Sequence, residues 1–270
     1  MESTRDLYLD LIKKTLINWI YGDCEEAACE VPSALAELVA ATYGERAVRL
    51  VQPKPFDPAF RTEGKDWPPQ AHTMVGLLRL NNLQECVQTA LDENIPGDFI
   101  ETGVWRGGST ILMRAILKAN GITNRTVWVA DSFQGLPRPD AELYPADKDD
   151  ILYSYPALAV SLDRVRENFN RYGLLDDQVQ FLKGWFKDTL PDAPPAPLAV
   201  VRLDGDMYES TMDGLNNLYP RLSPGGFLIV DDYGCIPACK QAIHDYRDKH
   251  GIHENIHTVD WTGVYWRKDR

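Results

Sequence analysis

Two patterns of hydrophobic positions divide the chain. Up to about residue 95, apolar side chains recur at helical spacing. Leu9, Ile12, Leu16 and Ile20 mark an amphipathic helix over residues 6–22, and Leu80, Leu83, Val87 and Leu91 mark another over 73–93. Residues 23–50 read as helical after Pro32, whereas Pro53, Pro55, Pro58, Pro68 and Pro69 break regular structure across 52–70. Asn94-Ile95-Pro96-Gly97 ends this segment. Beyond it, short apolar runs alternate with helical ones. Strands are predicted at 98–104, 126–132, 179–184, 198–204 and 226–231, with helices at 109–119, 161–172, 210–222 and 237–250. Such alternation means βαβ units with right-handed crossovers and a parallel sheet. Residues 257–260 and 264–267, around Thr262-Gly263, predict a hairpin that ends the sheet antiparallel. The expected organisation is a helical N-terminal extension over 1–95 and an α/β domain over 96–270. Residues 134–158 are acidic and rich in Pro and Tyr; a loop of that length is a lid, a binding loop or disordered.

Composition narrows the class. A chain of 270 residues with 44% hydrophobic and 25% charged residues can bury a full globular core. Its 28 Lys and Arg against 40 Asp and Glu give a net charge of −12, which argues against the phosphate backbone of nucleic acid as a partner. No stretch of 18 apolar residues exists to span a membrane, and Met1-Glu2-Ser3-Thr4-Arg5-Asp6 lacks the plan of a signal peptide. The five cysteines are odd in number, and Cys235 and Cys239 have no second pair to complete a zinc site. Reduced thiols and a cytoplasmic location are expected.

Candidate chemistry gathers at the strand ends. Leu198-Ala199-Val200-Val201-Arg202-Leu203 runs into Asp204-Gly205-Asp206, and Phe227-Leu228-Ile229-Val230 into Asp231-Asp232. On neighbouring parallel strands, three or four carboxylates would meet at the carboxyl edge, where open α/β sheets bind ligands. Read as a group without cationic neighbours, they repel unless a cation or protons intervene, and a hard divalent metal, Mg²⁺ first, is the natural occupant. Gly103, Gly107 and Gly108 lie between the first strand and its helix, but Trp105 stands where a dinucleotide fingerprint needs its second glycine. That spacing favours S-adenosylmethionine, which carries no phosphate, over a nicotinamide cofactor. Glu101 is then placed to receive the cationic methionine portion, and Asp131 to accept from the ribose hydroxyls. Phe133 is placed to cover the adenine, with a place in the core as its alternative.

These segments resemble the metal-dependent macrocin-type O-methyltransferases, which modify sugar hydroxyls on macrolide and aminocoumarin antibiotics. The resemblance covers roughly residues 5–268. Its most specific parts are Ala71-His72-Thr73-Met74, Glu101-Thr102-Gly103-Val104-Trp105-Arg106-Gly107-Gly108, Val129-Ala130-Asp131-Ser132-Phe133-Gln134-Gly135, Gly184-Trp185-Phe186-Lys187-Asp188-Thr189, Leu203-Asp204-Gly205-Asp206 and Asp231-Asp232-Tyr233. It implies a Rossmann-like class I methyltransferase fold: a mostly parallel seven-stranded sheet with an antiparallel C-terminal hairpin. It also implies S-adenosylmethionine bound at Glu101, Thr102, Gly103, Val104, Asp131, Ser132 and Phe133, with Met74, Ser109 and Gly184 nearby. Mg²⁺ falls on Asp204, Asp231 and Asp232, and the general base on Asp206. A homodimer built through the N-terminal helices fits the family. On an extended strand Asp204 and Asp206 would point to one side, with a metal ligand or helix cap as the other roles for Asp206.

Residues 23–66 differ in length and content from macrolide-modifying members, which leaves the acceptor open. A catechol-type phenolic methyltransferase is disfavoured, because Gly205, Asp206 and Met207 stand where that type has a lysine. An NAD-dependent sugar oxidoreductase and a catalytically silent nucleoside-binding protein are the remaining alternatives. His244 is a rival base, His72 is structural or lines the pocket, and Trp67 is an aromatic wall for the acceptor or a hydrophobic anchor.

Overall fold

The computed structural model describes residues 3–28, 32–44, 51–193 and 197–269. The apolar runs pair side by side into one sheet: β1 Asp98–Thr102, β2 Val127–Asp131, β3 Val179–Lys183, β4 Leu198–Leu203, β5 Leu222–Val230, β6 His257–Thr258 and β7 Val264–Arg267. Their order across the sheet is β3-β2-β1-β4-β5-β7-β6. The first five strands are parallel, and β7 runs antiparallel to both β5 and β6. The expected mostly parallel seven-stranded sheet with an antiparallel C-terminal pair is therefore present. From β1 the order runs outward both ways, to β2 and β3 on one side and to β4 and β5 on the other. That reversal makes the carboxyl ends of β1 and β4 the crevice of the sheet.

Alternation along the strands divides two cores. Phe99, Val129, Phe227 and Ile229 face one, with side chains of helices α1 Thr4–Leu16, α4 Leu77–Asp92, α5 Gly108–Ala119 and α6 Leu162–Arg171. Ile100, Ala130, Leu228 and Val230 face the other, with α8 Tyr208–Leu218 and α9 Pro237–His250. Strands covered on both faces read as continuous apolar runs, which is why β4 was legible as one.

Ahead of the sheet the boundaries differ from expectation. α1 ends at Leu16, because Asn18 turns left-handed and the Trp19 N–H closes back on the Lys14 carbonyl. Helix α2 covers Ser33–Tyr43. The stretch read as irregular contains strand Val51–Pro53, paired antiparallel with Glu26–Ala28, and a short helix α3, Pro58–Glu63. Proline there starts a helix instead of breaking one: Pro58 occupies the first turn, where its missing N–H costs nothing, and Asp57 caps the Ala59 and Phe60 amides. A further short helix, α7 Phe186–Thr189, follows β3. Residues 134–158 carry three short 3₁₀ turns, at Pro145–Asp147, Leu152–Ser154 and Pro156–Leu158.

Candidate active site

Chain geometry at the strand ends is built by a few residues in unusual conformations. After β1 the chain turns at Gly103 with φ 82°, where an added Cβ would lie 1.6 Å from the Asp204 carbonyl oxygen. Only glycine lets the ends of β1 and β4 approach this closely. Trp105, Phe133 and Asp206, just beyond β1, β2 and β4, are non-glycine residues with φ of 46°, 57° and 57°. Left-handed backbone at such residues is costly and concentrates where a site is being shaped.

At this edge, Asp204, Asp231 and Asp232 each offer a carboxylate oxygen, all within 4.8 Å of one another. Asp231 and Asp232 are buried and Asp204 is half-buried. The Asp206 N–H donates to Asp232 Oδ2 at 3.1 Å. Asp206 thus joins the group through its backbone, and its φ departs from the extended strand that would have set its side chain beside that of Asp204. Burial, followed by the Asp231 charge, pushes the Asp204 carboxyl up to about 6. Burial with the Asp204 and Asp231 charges lifts Asp206 to about 8. Asp232 is raised well above the ordinary range by burial and by the Asp206 and Asp204 charges. Crowded, desolvated carboxylates with rising pKa values form a donor set that a hard divalent cation fits.

The premise that this group lacks cationic neighbours does not hold. Arg202, inside β4 and 2% exposed, donates Nη1 to Asp204 at 2.7 Å and to Glu101, and Nη2 to Asp231. Arg79 of α4 donates Nη1 to the second oxygen of Asp231 and Nε to Asp260 at 2.9 Å. The signal for Arg202 was present in the chain: a lone charged residue inside an apolar run must be paired when buried. Arg79 gave no such signal, since its partners lie 152 and 181 residues away.

Two clefts meet at the carboxylates. One is bordered by Gly103, Asp131, Ser132, Gly184 and Trp185. The other, which is larger, is bordered by Glu101, Val104, Ser109, Trp67 and Trp261. Met74, Trp105, Leu158, Asp204 and Asp206 line both. Glu101 is almost fully buried, and burial pushes it up to about 8 against the pull of Arg202. Its Oε2 has no hydrogen-bond partner. Asp131 accepts the Val104 N–H at 2.8 Å and the Phe133 N–H at 2.6 Å, so it fixes both strand-end turns while facing the first cleft. Thr102 is buried, and the Phe133 ring packs in the core with its centroid 6.3 Å from that of Phe181.

Other candidates fall outside this group. His72 Nδ1 lies 2.7 Å from the Tyr172 hydroxyl, and His244 Nε2 lies 2.8 Å from that of Tyr233. Trp67 borders the larger cleft. Trp261, which sequence reasoning missed, lines it too, with its indole N–H on the Glu63 carbonyl at 2.8 Å. The 134–158 loop is tied down over the site. Trp105 Nε1 donates to Ala157 O at 2.8 Å, and Asp147 accepts the Tyr208 and Glu209 amides that open α8.

Residues 5–268 match the family model described as Macrocin-O-methyltransferase (TylF). The chain belongs to this family. Like other macrocin-type enzymes it is an O-methyltransferase, and its sheet is that of the class I fold. It is 56% identical over 268 residues to the 8-demethyl-8-(2,3-dimethoxy-alpha-L-rhamnosyl)-tetracenomycin-C 4′-O-methyltransferase of Streptomyces olivaceus, covering 98% of this chain and 94% of that enzyme. It is 53% identical over 266 residues to the Mycinamicin III 3″-O-methyltransferase of Micromonospora griseorubida, covering 97% and 96%. The solved structure of the O-methyltransferase NovP superposes with a TM-score of 0.86 at 47% identity, over 98% of this chain and 100% of that one.

Proposed function

We propose that this macrocin-type enzyme transfers the methyl group of S-adenosylmethionine to a sugar hydroxyl of a glycosylated natural product, with Mg²⁺ held by Asp204, Asp231 and Asp232. The observation that carries the proposal is the meeting of two clefts at one carboxylate group. It is supported by relatives named for methylation of a rhamnosyl-tetracenomycin and of mycinamicin III.

S-adenosylmethionine supplies an electrophilic methyl group on sulfur. The residues that would hold it are Glu101, Thr102, Gly103 and Val104, then Asp131, Ser132 and Phe133, with Met74, Ser109 and Gly184. Asp131 keeps lone pairs beyond those used by Val104 and Phe133, and these suit ribose hydroxyls. The unpartnered Glu101 Oε2 suits the ammonium of the methionine portion. Phe133 contributes its backbone turn to this site, since its ring is in the core. A sugar hydroxyl must lose its proton as it attacks. Asp204, Asp231 and Asp232 would hold a Mg²⁺, which would supply Lewis-acid stabilisation of the negative charge developing on that oxygen. Asp206 takes the proton of the attacking hydroxyl, in a transfer in which the O–C bond forms and the S–C bond breaks.

The test is calorimetric titration of EDTA-treated protein with S-adenosylhomocysteine, with and without Mg²⁺. Micromolar binding is expected. No binding in either condition removes the cofactor assignment.

We also propose that residues 1–95 act as an extension that covers the site of a catalytic domain spanning 96–270, since Trp67, Met74 and Arg79 border the larger cleft. A homodimer in the cytoplasm completes the reading. Exposed Leu7 and Leu11 on α1, and Leu35 and Leu38 on α2, are apolar faces for a second copy. No helix among the described residues is long and apolar enough to cross a membrane. Light scattering should return twice the chain mass; a monomer at micromolar concentration would contradict the dimer.

A further inference from the structure

We propose that Arg79 and Asp260 are positioning residues, which hold the Asp231 carboxylate in its ligating orientation and so join the larger cleft to the metal site. The proposal rests on the metal reading given above. Its basis is a forked contact: the buried Arg79 guanidinium donates Nη1 to Asp231 Oδ2 and Nε to Asp260 Oδ2 at 2.9 Å. The other oxygen of Asp231 is held by Arg202. With one arginine on each oxygen, the carboxylate cannot rotate. Each oxygen retains a second lone pair for a cation.

Asp260 serves the turn and Arg79 with separate oxygens. Its side chain is 0% exposed, and its Oδ1 accepts the Thr262 N–H at 3.0 Å and the Gly263 N–H at 2.7 Å. Thr262 in turn donates its hydroxyl to the Asp231 carbonyl at 2.8 Å, so the turn between β6 and β7 grips Asp231 by backbone and side chain together. Glycines shape the slot in which Arg79 lies. A Cβ at Gly64 would come within 2.5 Å of Arg79 Nη2, and one at Gly263 within 2.8 Å of Arg79 Cδ. The same turn carries Trp261, whose indole N–H donates to the Glu63 carbonyl, and Trp67, Trp261 and Arg79 all border the larger cleft.

Charge decides why the arginine has its own carboxylate. Two uncompensated guanidinium groups beside Asp231 would oppose a divalent cation. Asp260 neutralises Arg79, which leaves orientation as its net effect. A packing role alone would move stability and leave metal affinity in the folded protein unchanged. Fixing a ligand's orientation from outside the ligand set typically changes metal affinity by about 10–100-fold.

The experiment is Mn²⁺ titration followed by electron paramagnetic resonance, with S-adenosylhomocysteine present, on the native protein and on Arg79→Lys and Asp260→Asn. Lysine keeps the charge but cannot fork between two carboxylates. Asparagine keeps an acceptor for Thr262 and Gly263 but leaves Arg79 uncompensated. The double variant Arg79→Met with Asp260→Asn removes both charges, keeps the acceptor for Thr262 and Gly263, and guards against loss of the folded state in the single variants. We expect Mn²⁺ affinity to fall about tenfold or more in each, with S-adenosylhomocysteine affinity within about twofold of native. Unchanged Mn²⁺ affinity in folded variants overturns the positioning role and leaves the metal reading intact. A native protein that binds no Mn²⁺ removes the metal reading, and this one with it.

Discussion

At Asp206 and Asp204, two carboxylates two residues apart sit differently because their backbones differ. Asp204 directly follows a strand and meets Arg202 at 2.7 Å, whereas Asp206 sits in left-handed backbone and gives its N–H to Asp232. Asp204→Asn should abolish Mn²⁺ binding while S-adenosylhomocysteine binding survives, as read by paired titrations. Asp206→Asn should lower turnover by about 10²–10⁴ with Mn²⁺ affinity retained. Equal loss of metal binding in both would recast Asp206 as a ligand. The carboxylates and glycines were legible in the chain because their residue types are rare directly after apolar runs. The counter-charges were not: Arg79 reaches Asp231 across 152 residues, and no local pattern encodes such a contact. Extended-strand reasoning also failed at Asp206, where a single φ of 57° redirects the chain.

Among elements, the loop and the helices show how distant segments complete one another. Met207 precedes α8 and offers no side-chain cap, so Asp147 of the 134–158 loop accepts the Tyr208 and Glu209 amides instead. Asp147→Ala should cost about 1–2 kcal/mol of stability, as loss of a cap does, and should loosen the loop that borders the site. Chemical denaturation with hydrogen exchange across residues 134–158 would show both; unchanged exchange there would contradict the tie. A second link joins the segment ahead of the sheet to α6 and its end, through His72 and Tyr172. Burial, then the charges of Arg106, Arg171 and Arg164, depress His72 from 6.5 to about 4. A group with a depressed folded pKa contributes its stability above the unfolded value, and that stability is lost as pH falls through the folded one. Denaturation midpoints of the native protein should therefore fall more steeply between pH 6.5 and 4 than those of His72→Gln; parallel curves would contradict this role. Helix and strand identities were legible from periodicity, but their ends were not. α1 stops at Leu16 and β5 starts at Leu222, where local turns and tertiary pairing override the pattern.

For the whole molecule, a reversal of strand order between β1 and β4 is what brings the glycine turn, the carboxylates and both clefts to one edge. The fold and its family were legible over nearly the full length, because alternating apolar runs and several motifs in order leave few alternatives. The acceptor was not, since both clefts are walled by side chains from far-apart segments, such as Trp67 and Trp261 in the larger one. Its chemistry is best read from the product. The most direct measurement is to incubate EDTA-treated protein with S-adenosylmethionine carrying a deuterated methyl group and a panel of deoxysugar glycosides, then restore Mg²⁺ and map the label by mass spectrometry and NMR. The account predicts label on a sugar oxygen that appears only once Mg²⁺ is restored. Label on the aglycone, or label formed equally in the presence of chelator, would contradict it.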